Sequence, residues 1–188
     1  MTVFERKPAN SQLRVEWALS IVTLNLPELV YLSLGSNLGD RAANLRAAIE
    51  RLAEAGTMQA KSGLYETEPV DFRDQPWFLN CAVALETSET PRDLLAHALA
   101  IEEGMGRRRA RDKGPRIMDI DILLFGDRVI DEPGLRIPHP AMHERRFVLE
   151  PLAEIAPGVL HPAIKKTARQ LLAGLPSGPA VRTLTPET

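Results

Sequence analysis

The segment Gly114–Asp127, GPRIMDIDILLFGD, places two aspartates in a run that otherwise has the apolar composition of a buried strand. Residues two apart on a strand point to the same face, about 6–7 Å apart at the backbone. Asp119 and Asp121 therefore present two carboxylates side by side, while Met118 and Ile120 fall on the opposite face. Aspartate is disfavoured in strands, so the pair indicates a function. Carboxylate oxygens are ligands for Mg²⁺, usually together with phosphate oxygens and water.

A basic segment leads directly into the aspartates. Residues 107–116, RRRARDKGPR, carry six cationic side chains and one acidic side chain, a net charge of +5 in ten residues. Cations beside a carboxylate pair can hold the phosphate charge that Mg²⁺ leaves uncompensated, so we predict a site for Mg²⁺ and a polyphosphate. The alternative is an RNA-binding surface. Against it, the segment has no interleaved aromatic residue, and the whole chain has a net charge of -2.

Aromatic and amide side chains indicate a second candidate site, for a flat heterocycle. Phe78 and Asn80 are two residues apart in the apolar segment 77–87, so they share one face of a predicted strand. Phe78 can stack on a ring while Asn80 hydrogen-bonds to the ring's edge. Phe147 is the candidate for the opposite face of the ring.

A histidine between two prolines is a further candidate phosphate ligand. His139 stands in the segment PHPAMHERRF, and Arg145 follows it closely, which makes a phosphate-binding role more credible for both. The sequence has no Gly-x-x-x-x-Gly-Lys-Ser/Thr motif, so a nucleotide would be bound without a P-loop.

Turn and cap signals divide the chain into the strands and helices that must position these residues. Helices are predicted after Asp40 and after Thr90, and strands at 29–37, 58–68, 77–87 and around the two aspartates. The order β-α-β-β-α-β predicts an α+β fold, with helices packed on one face of a mainly antiparallel sheet. Gly126 and Asp127 predict a hairpin turn. Additional helices are expected after Arg145 and at 167–175.

The composition is that of a globular protein, with 188 residues, 44% of them hydrophobic and 26% charged. Cys81 is the only cysteine, so no intrachain disulfide can form. No apolar run reaches the length of about 18 residues that a membrane span needs. We predict one domain at 29–175, a flexible extension at 1–28 and a flexible tail at 176–188. We expect a cytoplasmic monomer with no nucleic-acid or membrane partner.

Four motifs in the chain also resemble a known enzyme family. They are LSLGSNLGDR, DQPWFLNCAVALET, GRRRARDKGPRIMDIDILLFG and PHPAMHERRFVLEPLAEIAP, in this order. From about residue 30 to 175 the chain is similar to the 6-hydroxymethyl-7,8-dihydropterin pyrophosphokinases of folate biosynthesis. The resemblance implies a ferredoxin-like α+β core and two Mg²⁺ ions. It also implies transfer of the diphosphate of ATP to the hydroxymethyl group of the pterin, with release of AMP.

The resemblance implies roles for the residues that match the family's motifs. Asp119 and Asp121 would bind both magnesium ions. Arg107 and Arg116 would contact the triphosphate and stabilise charge during the transfer. The residues implied to bind ATP are Glu102, Arg107, Arg116, His139 and Arg145.

The pterin pocket is implied in the same way. Its residues would be Thr67, Val70, Phe78, Asn80 and Phe147, of which the first two contribute backbone groups. The chain departs from the family pattern at Lys113, Pro140 and Glu68, which bears on loop contacts rather than on the reaction. A related Mg²⁺-dependent phosphotransferase with another acceptor is the remaining alternative.

Overall fold

The structure is a computed structural model that describes residues 26–70, 74–106 and 114–184. Most of the predicted extension 1–28, the end of the predicted tail, and the basic segment from Arg107 to Lys113 lie outside these residues. The elements in chain order are β1 (Glu28–Ser36), α1 (Arg41–Leu52), β2 (Thr57–Lys61), β3 (Leu64–Thr67), β4 (Phe78–Thr87), α2 (Pro91–Gly104), β5 (Asp119–Phe125), β6 (Ile130–Glu132), β7 (Leu135–Ile137), a 3-10 helix (Met142–Glu144), α3 (Arg146–Ile155), α4 (Ala168–Ala173) and β8 (Val181–Leu184).

The predicted β-α-β-β-α-β order is confirmed, and its strands form one antiparallel sheet. The strand order is β5-β1-β4-β3-β8, with β2 also paired to β4. The predicted second strand is divided into β2 and β3 at Ser62. The Ser62 hydroxyl accepts a hydrogen bond from Ala82 N–H (2.9 Å), and Ser62 N–H donates to the Ala82 carbonyl (2.9 Å). Both strands therefore pair with the same strand, β4.

Helices α1 and α2 pack on one face of the sheet. Both begin at a side-chain cap, since Asp40 accepts from Ala43 N–H and Thr90 accepts from Asp93 N–H. The core beneath them is built from alternate strand residues, among them Val30, Leu32, Leu34, Leu79, Cys81, Val83, Met118, Ile120 and Ile122. This confirms that the apolar parity of the Asp-x-Asp strand anchors it in the core. The other parity, including both aspartates, must face the opposite side of the sheet.

Helices α3 and α4 cover part of that opposite face. Leu149 and Leu152 of α3 pack with Leu171 of α4 and with Ala82 and Leu123 of the sheet. The two core helices lie on one face as predicted, and the C-terminal helices form a third layer. These helices cover only part of this face, which leaves the ends of β1, β4 and β5 to form a cavity. Within the described residues, no helix has the length and apolar character needed to cross a membrane.

Two local expectations are corrected. The turn at Gly126 does not join a hairpin, because β5 pairs with β1 and β6 pairs with β7, as in the Ile130–Ile137 pair. The segment 176–188 was expected to be a flexible tail, but it contains β8, which pairs with β3. Three of the four residues of β8 are exposed, so the sequence has no apolar alternation there that would predict a strand. β8 pairs instead through its backbone with β3, which would otherwise be an edge strand.

Candidate active site

Three adjacent strands bring the predicted site residues together on one face of the sheet. Gly35 of β1 is opposite Asp119 of β5 on one side and opposite Asn80 of β4 on the other. Ser33, two residues earlier, is opposite Asp121. A Cβ atom at Gly35 would lie 2.6 Å from Asn80 Oδ1, closer than real Cβ contacts allow. Glycine at this position therefore keeps the space between the amide and the carboxylates open.

A cavity of about 230 Å³ lies over this part of the sheet. Ten of the twelve residues predicted for the site line it. They are Thr67, Val70, Phe78, Asn80, Arg116, Asp119, Asp121, His139, Arg145 and Phe147. Sequence reasoning did not assign Ser33, Gly35 and Gln75, which also line the cavity. Gln75 lies in a loop, and the other two are small strand residues whose role depends on the pairing register.

The carboxylate pair is electrostatically unfavourable without a cation. Burial and then the negative charge of Asp119 raise the pKa of Asp121 to about 7. The positive charges of Arg145 and Arg116 lower this pKa and offset only part of the effect. Oxygen donors with excess negative charge fit Mg²⁺. In the described part of the chain no group of three or more His, Cys, Asp or Glu residues forms a metal cluster, so phosphate oxygens and water would complete the coordination.

Arg116 is fixed at the edge of the carboxylate pair. Its Nη1 lies 2.8 Å from Asp119 Oδ2, and its backbone N–H donates to Asn37 Oδ1 (2.7 Å). Asn37 N–H donates to the Arg116 carbonyl (3.1 Å), and Asn37 Nδ2 donates to Gln75 Oε1 (3.0 Å) and to the Pro76 carbonyl (3.1 Å). Asn37 is 2% exposed. It therefore joins the predicted phosphate side of the cavity to the loop on the predicted heterocycle side.

The aromatic and amide side chains lie beside the carboxylates. Asn80 Nδ2 donates to Thr67 Oγ1 (2.7 Å), which orients the amide and leaves its Oδ1 atom directed toward Gly35. Phe78 and Phe147 line the same cavity from β4 and from the start of α3. The Arg145 guanidinium lies 5.7 Å from the Phe147 ring centroid. The cavity thus combines two aromatic rings with a fixed amide, as a flat polar heterocycle requires.

A second, more open cavity of about 610 Å³ adjoins the first. It lies between α2, β5 and the β6–β7 hairpin, with Leu95, Ile122 and Leu135 in its wall. Asp121 and His139 line both cavities, so these two residues lie where the cavities meet. His139 Nε2 lies 4.0 Å from Asp121 Oδ2. Burial and then the charge of Arg145 lower the pKa of His139, so its neutral form is favoured.

The two other predicted residues are placed differently. Arg107 lies outside the described residues. Glu102 is not among the residues that line either cavity, because it is on α2 beneath the sheet and is 1% exposed. Its Oε1 accepts a hydrogen bond of 2.7 Å from Ile120 N–H, between the two aspartates in the chain. Glu102 therefore contacts the strand that carries the carboxylates.

Residues 31–157 match the family described as 7,8-dihydro-6-hydroxymethylpterin-pyrophosphokinase (HPPK). The chain is 47% identical over 151 residues to the 2-amino-4-hydroxy-6-hydroxymethyldihydropteridine pyrophosphokinase of Methylorubrum extorquens, covering 79% of this chain and 94% of the relative. It is 48% identical over 129 residues to the Bacillus subtilis protein of the same name, covering 68% of this chain and 77% of that protein.

Longer proteins match the chain over part of their length. The folic acid synthesis protein FOL1 of Dictyostelium discoideum is 40% identical over 158 residues, which is 84% of this chain and 24% of that protein. The match to a solved structure of Plasmodium falciparum HPPK-DHPS covers 82% of this chain and 46% of that protein's chain, with a TM-score of 0.66 at 20% identity. The chain therefore spans about a quarter of FOL1 and under half of the solved protein, whose similarity concerns the fold.

Proposed function

We propose, because this chain belongs to the 7,8-dihydro-6-hydroxymethylpterin-pyrophosphokinase family, that it transfers the diphosphate of ATP to the hydroxymethyl group of 6-hydroxymethyl-7,8-dihydropterin. The pterin hydroxyl oxygen forms a bond to the β-phosphorus of ATP. The bond between that phosphorus and the oxygen bridging to the α-phosphorus breaks. The hydroxyl proton is released, and AMP leaves. The observation that carries this proposal is the carboxylate pair in the smaller cavity, of which Asp121 also lines the adjoining larger cavity.

The smaller cavity is suited to the pterin. Phe78 and Phe147 supply aromatic faces for a bicyclic ring, and Asn80 supplies an amide for its edge. Thr67 holds that amide through the 2.7 Å hydrogen bond to its Nδ2 atom. Only groups held in place before binding can select one ring edge at low entropic cost. The hydroxymethyl group of the pterin would then point toward Asp119 and Asp121.

The larger cavity is suited to the nucleoside of ATP. Its wall is partly apolar, and it includes Asp121, one of the two carboxylates. The phosphate chain would extend from it to the junction, where Arg116, His139 and Arg145 line the cavity. Arg107 is proposed as an additional phosphate ligand because it matches the family's motif. Placing both substrates in line across one point supplies the proximity that phosphoryl transfer requires.

Asp119 and Asp121 are the residues that would hold Mg²⁺, and we propose two ions. Bound Mg²⁺ would neutralise part of the phosphate charge. The protein's own contribution is orientation: Glu102 fixes Ile120 N–H (2.7 Å) between the aspartates, and Arg116 contacts Asp119 (2.8 Å). Neutral His139 can donate one hydrogen bond to a phosphate oxygen without adding charge.

The test is an assay of AMP release with ATP, Mg²⁺ and the pterin, comparing the wild-type chain with an Asp119→Ala, Asp121→Ala double variant. We expect pterin-dependent AMP from the wild type and a loss of at least about 1000-fold in the double variant, since two groups that act at the transferred phosphate are removed. An Asp127→Ala variant is the control, because Asp127 is exposed and lies outside both cavities. Full activity in the double variant would refute the assignment of the carboxylates.

A further inference from the structure

We infer that the C-terminal segment, residues 175–184 with β8 at its end, is a positioning element that holds the pterin-binding half of the site. The inference rests on the proposed function. The C-terminal segment lies beyond residues 31–157, which match the family, and the sequence alone indicated a flexible tail. In the structure it returns to the sheet and pairs with β3, with Thr67 opposite Val181.

The pairing continues past the end of β3 into the loop that lines the cavity. Glu68 N–H donates to the Ala180 carbonyl (3.1 Å), and Ala180 N–H donates to Glu68 Oε2 (3.5 Å). Glu68 and Val70 line the smaller cavity, and Thr67 orients Asn80 through its hydroxyl. The C-terminal segment therefore fixes the backbone on which the ring-edge amide depends.

A second contact reaches the strand that carries Phe78. The Arg182 guanidinium lies 5.0 Å from the ring centroid of Trp77, the residue before Phe78. Arg41 Nη1 donates to the Trp77 carbonyl (2.9 Å), and its Nη2 lies 2.8 Å from Glu66 Oε1. Glu66 is opposite Arg182 in the β3–β8 pair. Arg182 and Arg41 thus hold the start of β4 against β3.

The C-terminal segment also encloses the space behind the wall of the pterin cavity. A separate cavity of about 170 Å³ lies between the segment and the loop, bordered by Pro176, Pro179 and Val181 on one side. On the other side it is bordered by Val70 and Phe147, which also line the pterin cavity. Without the segment, β3 would become an edge strand and this wall would face solvent. Backbone with few packed neighbours opens more readily, so the pterin side of the site would lose its fixed geometry.

The first test compares the full chain with a chain truncated after Leu175. We expect the KM for the pterin, and its dissociation constant by fluorescence titration, to rise about tenfold on truncation because misplaced binding groups lose orientation. The KM for ATP should stay within about twofold, since the larger cavity has no residue from the segment. A uniform loss of activity with both KM values unchanged would overturn the inference, as would unchanged pterin binding.

Two proline substitutions test the same inference if the truncated chain does not fold. Glu68 and Ala180 are hydrogen-bonded across the strands, and hydrogen-bonded pairs alternate in an antiparallel ladder. The N–H of Arg182 therefore faces β3, and that of Thr183 faces away. Arg182→Pro should raise the pterin KM about tenfold, while Thr183→Pro, on the free edge, should change it less than twofold. Equal pterin KM values in the two variants would overturn the inference, whereas a full chain without pterin-dependent AMP release would instead refute the proposed function.

Discussion

Replacing Asp121 by asparagine should stabilise the metal-free protein at alkaline pH while abolishing the reaction. Burial and then the charge of Asp119 raise the pKa of Asp121 to about 7, against an unfolded-state value of about 3.9. A raised pKa means that the stability contributed by the protonated form is present below about pH 4 and is lost as the pH rises through about 7. Asparagine stays neutral throughout, so the variant avoids this loss.

The magnitude follows from the geometry of the pair. Two unit charges about 6 Å apart interact by about 0.7–2.8 kcal/mol at effective dielectric constants of about 80 to 20. The Asp121 side chain is 36% exposed, and Arg116 and Arg145 offset part of the repulsion, so we expect about 1–2 kcal/mol. For a chain of this size that corresponds to a Tm about 3–6 °C higher for the variant at pH 8, and to a difference near zero at about pH 4.

Thermal unfolding of both proteins in the presence of EDTA, at a series of pH values from 4 to 8, measures this difference. Asp127→Asn is the matched control, because Asp127 is exposed at the turn after β5. Mg²⁺ added at pH 8 should raise the Tm of the wild type more than that of Asp121→Asn, since a ligand stabilises only the state that binds it. A variant that is less stable than the wild type at pH 8, or a difference that does not grow with pH, would refute the electrostatic reasoning.

Three further outcomes are expected. Gly35→Ala should weaken pterin binding at least about tenfold with little change for ATP, because the new Cβ would lie 2.6 Å from Asn80 Oδ1; equal binding in a fluorescence titration would contradict this. Burial and then the hydrogen bond to Glu154 raise the pKa of Tyr65 to about 12, so the stability that its neutral phenol contributes should be lost between pH 10 and 12. Urea unfolding should show that Tyr65→Phe lowers the free energy of unfolding by about 1–2 kcal/mol at pH 7. Between pH 10 and 12 the free energy of unfolding should fall less steeply in the variant than in the wild type, and an equally steep fall would argue against this reasoning. Light scattering should give a molar mass near 20.8 kDa, as expected for a monomer, and a value twice as large would exclude one.

The fold was predictable where side-chain periodicity decides it. Met118, Ile120 and Ile122 alternate with the aspartates, so their burial under α1 and α2 could be expected from the pleat alone. Strand β8 could not be predicted in this way, because only Val181 of its four residues is partly buried and its stability depends on the backbone of β3. The pairing of β6 with β7 likewise could not be predicted: β5 is the end strand of the described sheet and pairs with β1, yet β6 pairs with β7 and not with β5.

The site was predictable where a residue type itself carries the chemistry. Paired carboxylates, an aromatic with an amide, and a histidine near an arginine led to six residues that line one cavity: Asp119, Asp121, Phe78, Asn80, His139 and Arg145. Thr67 and Val70, which line it too, were implied only by the family resemblance. Gly35 and Asn37 were missed because their roles depend on residues far away in the sequence. Gly35 is opposite Asn80, 45 residues later, through the strand register. Asn37 is hydrogen-bonded to Arg116, 79 residues later. Glu102, to which the resemblance gives a role in ATP binding, is buried and accepts a hydrogen bond from Ile120 N–H of β5.

The most direct measurement of the proposed reaction follows the phosphorus atoms of ATP into the products. The purified chain would be incubated with Mg²⁺, the pterin and ATP labelled separately at the α-, β- and γ-phosphorus. Attack at the β-phosphorus should place both the β and γ labels on the pterin and leave the α label in AMP, in equal molar amounts. A γ label alone on the pterin with ADP as the second product, or AMP formed at the same rate without the pterin, would contradict diphosphate transfer at the Asp119–Asp121 junction.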